Sequence, residues 1–179
     1  MKTAHLTLGG ILSALSIICL YLTSILTTNT LTLLTLASFM VPIGLIRGSL
    51  KTACLIYISS SCLSFIIVPL NIALLYSLFF GIYGIVKYLI ERKRSLPLEI
   101  VLKLIFFNSI SIFLLLLMQN VLGYKLFSNI QTFITNYFVL NASVVSYIVL
   151  WILGQLGFLV FDYALTLLID YYYKYARRL

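Results

Sequence analysis

The chain has 179 residues, of which 63% are hydrophobic and only 9% charged, with a formal net charge of +8. A soluble domain carries about 25% charged residues, so this composition excludes an ordinary globular fold and points to an all-α, polytopic membrane protein. The short alternating segments of a membrane barrel are absent, and the basic residues gather at the ends of apolar runs rather than on a face that would hold nucleic acid.

Six spans follow in chain order. The first covers about 6–26 and contains "LTLGGILSAL", in which Gly9, Gly10, Ser13 and Ala14 interrupt an otherwise apolar run. One lysine precedes it and no small-residue cleavage site follows, so a retained span is expected rather than a signal peptide. A polar turn at residues 27–30 leads to the second span, 31–46, which is short and stops near Arg47 and Gly48. The third, 49–67, carries the small polar surface "SSSCLS" and ends before Pro69 and Asn71. In the fourth, 72–90, Ser77, Gly81 and Gly84 form a groove of small residues beside Tyr76 and Tyr83. Such stripes let membrane helices approach closely and hydrogen-bond across.

After the charged segment "ERKRSLPLE" comes the fifth span, 100–122, with Asn108, Ser111 and Gln119 in line. Residues 123–142 make the longest loop. It is too polar to span and too aromatic for a free linker, and its apolar residues recur at the spacing of a short interfacial helix. The last run, 143–173, is longer than a bilayer needs. In it Trp151, Gln155, Phe158 and Asp162 share one face, so Gln155 and Asp162 suit a polar seam. Cys19, Cys54 and Cys62, an odd number inside apolar runs, read as small buried fillers rather than disulfides or metal ligands.

Orientation follows from Lys and Arg. With six spans, eleven of them (Lys2, Arg47, Lys51, Lys87, Arg92, Lys93, Arg94, Lys103, Lys174, Arg177 and Arg178) fall on one side and Lys125 alone on the other. That asymmetry places both termini in the cytoplasm of a multi-pass plasma-membrane protein.

Groups for chemistry are scarce. The only histidine is His5, and the four acids are Glu91, Glu99, Asp162 and Asp170. No phosphate loop, metalloprotease motif, serine-hydrolase elbow or paired-cysteine metal spacing occurs, so neither an enzyme nor a bound metal or cofactor is expected. Glu91 and Glu99 read as solvated or salt-bridged loop acids. Asp162 is the one candidate for an ionisable group within a span, and its place toward the cytoplasmic end favours packing or the interface.

The outer face is richer. Thr27, Asn29, Asn71, Gln119, Asn120, Tyr124, Lys125, Asn136, Tyr137 and Tyr147 lie on or near it and offer aromatic walls, amides and one cation, the usual make-up of a small-ligand site.

A short protein with six spans, both termini inside, no ATP site and an outward polar pocket resembles the substrate-binding S components of energy-coupling factor (ECF) transporters. In that family the first helix carries an Ala-x-x-x-Ala motif that packs against a shared membrane coupling protein. The matching positions here are Gly10 and Ala14, with glycine in place of the first alanine. The resemblance implies capture of a vitamin or similar micronutrient from outside, movement within the bilayer, and ATP hydrolysis by two partner ATPases. The alternative is a small membrane scaffold resembling the MreD cell-shape protein, with helix faces for partners and no ligand.

Overall fold

The computed structural model describes residues 3–92, 95–122 and 142–176. Among them the fold is all-helical, with six helices long and apolar enough to cross a membrane. These are α1 (Thr3–Ile25), α2 (Thr30–Arg47), α3 (Leu50–Ile67), α4 (Leu70–Glu91), α5 (Leu96–Leu122) and α6 (Ala142–Ala176). The expected loop 123–142 lies outside the described residues, except that Ala142 already begins α6.

Helix ends follow local chemistry. A short 3-10 turn at Thr27–Asn29 joins α1 to α2. Gly48 closes α2 by donating its N–H to Gly44, and Ser49 caps α3 by accepting the Thr52 N–H. Pro69 starts α4, where its missing N–H costs no intrahelical bond.

The packed centre is α1–α4. Gly9, Ser13 and Ser16 of α1 turn inward, with Ser13 hydrogen-bonded to Ser59 of α3 at 2.7 Å and Ser16 donating to the Ala37 carbonyl of α2 at 2.9 Å. The α4 groove is filled as close helix approach requires. A Cβ on Gly84 would lie 2.9 Å from the Pro42 ring of α2, and one on Gly81 would lie 3.1 Å from the Tyr57 ring of α3. Two serines of "SSSCLS" bond between helices, Ser59 to Ser13 and Ser60 to the buried Tyr76 hydroxyl at 2.8 Å. Cys62 is exposed on α3 and does not act as a buried filler.

One irregularity shapes α4. Residues Tyr76–Phe80 form a π turn, in which the Gly81 N–H reaches back to Tyr76 rather than Ser77. The Ser77 carbonyl accepts instead from the Tyr57 hydroxyl at 3.0 Å, so the bond lost from the ladder is replaced from α3.

The last two helices are peripheral. Half of the apolar window of α4 is buried, against 6% for α5 and 17% for α6. They are held by an aromatic cluster, with Phe107 and Phe158 stacked at 4.7 Å and Phe80 edge-on to Phe161 at 5.2 Å. Lys103 of α5 meets Asp162 of α6, and further along Asn108 meets Gln155, so the two helices run antiparallel. The Arg47 guanidinium sits 5.2 Å over the Tyr172 ring, tying the ends of α2 and α6 together.

Candidate functional site

Four charged side chains from three helices converge beneath the aromatic cluster. Lys87 on α4 is the most enclosed, its side chain 1% exposed, and its ammonium is ion-paired with Oδ1 of Asp162 on α6. It also reaches Oε1 of Glu91 at 3.0 Å, the Thr166 hydroxyl at 2.8 Å and the Asp162 carbonyl at 3.2 Å. Lys103 on α5 donates to the same Glu91 oxygen at 2.8 Å and to Oδ2 of Asp162 at 3.1 Å. Each carboxylate therefore bridges both ammonium groups. Two positive and two negative charges balance the cluster.

Neutral groups complete it. The buried Tyr83 hydroxyl donates to Oδ1 of Asp162 at 2.7 Å, and Thr166 donates to the Asp162 carbonyl one turn back at 3.0 Å. The rings of Phe158, Phe161 and Phe106 stand 5.3, 5.5 and 5.8 Å from that of Tyr83, shielding one side. A lone charge at the centre of a span costs about 2.5–3.5 kcal/mol on insertion scales. Here pairing and charge-assisted hydrogen bonds offset that cost for each member.

The local sequence explains the convergence. Tyr83, Lys87 and Glu91 are spaced by four and line one face of α4, as do Asp162 and Thr166 on α6. Lys87 and Lys103, counted from the sequence with the cations of one side, are buried within the bundle, because each has an acid within reach on a neighbouring helix. Asp162 is likewise not left to packing or the interface alone; it is the hub of the cluster. The signal that marks Lys103 is its position inside an apolar run. That of Lys87 is its i,i+4 pairing with Glu91.

The expected seam of Gln155 and Asp162 on α6 is divided, because the two side chains have separate sets of partners. Trp151 and Gln155 both donate to Oδ1 of Asn108 at 2.9 Å, and Asn108 donates to the Leu104 carbonyl at 2.8 Å. Phe158, between Gln155 and Asp162 on that face, is buried in the aromatic cluster.

The expected outer pocket is described only in part. Thr27 and Asn29 lie in the turn after α1 and Asn71 in the first turn of α4, so chain alternation puts all three at one end of the bundle, opposite Arg47 and Glu91. The backbones of Gln119 and Asn120 in α5 and of Tyr147 in α6 belong to that end too. Tyr124, Lys125, Asn136 and Tyr137 lie outside the described residues. Gly10 and Ala14 stand exposed on α1, away from inward-facing Gly9 and Ser13. No protein-family model, no curated protein and no solved structure matches the chain.

Proposed function

We propose that this chain is the substrate-capture membrane subunit of an ECF-type importer, and that α1 is the face by which a membrane coupling protein holds it. In this reading it lies in the plasma membrane with both termini cytoplasmic. It takes a vitamin or similar small molecule at the end bearing Thr27, Asn29 and Asn71, and relies on two partner ATPases for energy.

The observation that carries the reading is the two-sidedness of α1. Gly9, Ser13 and Ser16 are explained by contacts within the chain. Gly10 is not: an added Cβ there would meet nothing within 4 Å, and Ala14 is exposed beside it. An interior glycine costs a helix about 1 kcal/mol relative to alanine, and a shallow notch on a membrane helix suits the close approach of another helix. What supports the orientation is charge. Setting aside the two buried lysines leaves nine of the eleven cations on the side of the Arg47 end, against Lys125.

The test is an affinity pull-down in mild detergent. Recovery of a membrane coupling protein with ATPases, lost in Gly10→Leu and Ala14→Leu, supports the proposal. Unchanged recovery with those variants overturns the interface. The internally paired charge cluster, which fastens three helices without a ligand, favours the second reading of a rigid MreD-like scaffold. Recovery of cell-wall machinery instead, with no ligand giving thermal stabilisation, selects that reading.

A further inference from the structure

The two carboxylates of the buried cluster are not equivalent. Asp162 receives Tyr83, Lys87 and Lys103, and its side chain is only 18% exposed. Glu91 uses one oxygen, Oε1, for both ammonium groups, is 36% exposed and is the last residue of α4. Glu91 can therefore swing out without moving a helix, whereas Asp162 cannot leave without abandoning three donors. Swinging out leaves two ammonium groups and one carboxylate, a net positive site shielded on the Tyr83 side by aromatic rings and open at the basic end of the bundle. Such a site binds an anion strongly because it is poorly screened.

We propose that Glu91 occupies, as an internal stand-in, a phosphate-binding site formed by Lys87 and Lys103, and that a phosphate group arriving at the Arg47 end displaces it. Both ammonium nitrogens lie within 3.0 Å of one oxygen atom, which suits a compact oxyanion head rather than a large organic anion, and phosphate has further oxygens for the other donors at this end. A compact, multiply accepting head matches that geometry. Exposed Arg92, next to Glu91, adds positive potential at the entrance. The Ser95 hydroxyl, just before α5, is buried with no hydrogen-bond partner among the described residues and is a further donor at that end. The dipole of α5 is answered by Glu99 in its own first turn, so the lysines and not the helix terminus supply the attraction. Phosphate has two sources at this position, the headgroup of an anionic phospholipid against the little-buried α5 or a free phosphate ion from solution.

In the wild type the site is open only in the fraction of molecules with Glu91 swung out, and apparent affinity falls by that fraction. Removing the stand-in therefore raises affinity, by about tenfold if one molecule in ten is open. The experiment titrates inorganic phosphate, with chloride at matched ionic strength, against the purified full chain while following thermal unfolding. Glu91→Gln is expected to bind about tenfold more tightly than wild type, and Lys103→Gln to lose the response. Glu91→Asp, which keeps the charge but is too short to bridge both lysines, is expected to gain affinity as well. It keeps the test valid if Glu91→Gln does not fold. In parallel, native mass spectrometry from phosphatidylcholine nanodiscs with or without phosphatidylglycerol reads retained lipid. Retention of phosphatidylglycerol that is lost in Lys103→Gln assigns the headgroup as occupant, and a response to inorganic phosphate alone assigns the free ion. Glu91 variants with no gain over wild type in either arm overturn the proposal.

Discussion

The Tyr83 hydroxyl and the Asp162 carboxylate meet at 2.7 Å across the α4–α6 interface, and the π turn in α4 is what lets them meet. Tyr76 and Tyr83 are seven residues apart, which in a regular α-helix brings both within about 20° of the same face. Yet the Tyr76 hydroxyl bonds Ser60 on α3 while that of Tyr83 bonds Asp162 on α6. The extra residue accommodated at Tyr76–Phe80 separates the two directions. It sends the face bearing Tyr83, Lys87 and Glu91 toward the last two helices. Local irregularity in one helix thus decides where the buried charges lie.

Tyr83→Phe removes one donor from an ionised acceptor and keeps the ring packing against Phe158 and Phe161. The expected loss is about 1–2 kcal/mol, read by equilibrium unfolding in detergent. No loss would mean that Asp162 is held by the lysines alone.

Asp162→Asn removes the hub and leaves Lys87, the most enclosed cation, without its principal counter-charge. Breaking a buried pair from one side costs about 3–5 kcal/mol. Combining it with Lys87→Met removes both partners and leaves Lys103 paired with Glu91. The double variant is expected to be more stable than the sum of the single losses predicts, by a coupling of about 0.5–3 kcal/mol. A strictly additive cycle would contradict the pairing.

These two cases show what was legible in the chain and what was not. The helices were, because long apolar runs bounded by Thr27–Asn29, Arg47–Gly48 and the charged stretch from Glu91 leave little choice. The close packing at Gly81 and Gly84 was legible too, as a small-residue stripe. The cluster left only hints, Lys103 inside an apolar run and Lys87 four residues before Glu91. A lysine near the end of a span looks the same in sequence whether it snorkels to the interface or pairs inward, and spacing within α4 says nothing about which helix lies alongside. The π turn leaves no local mark either, since "YSLFF" suits an ordinary helix. Most of the outer pocket falls where side chains are not described.

Gly84→Ala and Gly10→Ala give opposite expectations from the same change. At Gly84 the new methyl meets the Pro42 ring at 2.9 Å, and a ring closed onto its own backbone cannot rotate away. The expected cost is about 1–3 kcal/mol. At Gly10 the methyl meets nothing, so the gain in helix propensity is expected to stabilise by up to about 1 kcal/mol. Paired thermal unfolding of the two variants checks the assignment, and similar shifts in both would refute it.

Asn108 offers a direct optical test of the α5–α6 contact, because its partner Trp151 is the only tryptophan in the chain. The indole is 59% exposed, yet its N–H donates to Oδ1 of Asn108 at 2.9 Å, as does Gln155. Polar tips of aromatic side chains in apolar surroundings depend on such partners. Asn108→Leu keeps comparable bulk while removing the acceptor, leaving the indole N–H without a bond and the ring in a less polar environment. The emission maximum is expected to move to the blue, with a stability loss of about 1 kcal/mol or less, as is typical of interhelical hydrogen bonds in membranes. Gln155→Leu leaves the Trp151 bond intact and is expected to keep the wild-type maximum. An unchanged maximum in Asn108→Leu would place the indole away from α5, and with it the antiparallel register that aligns Lys103 with Asp162.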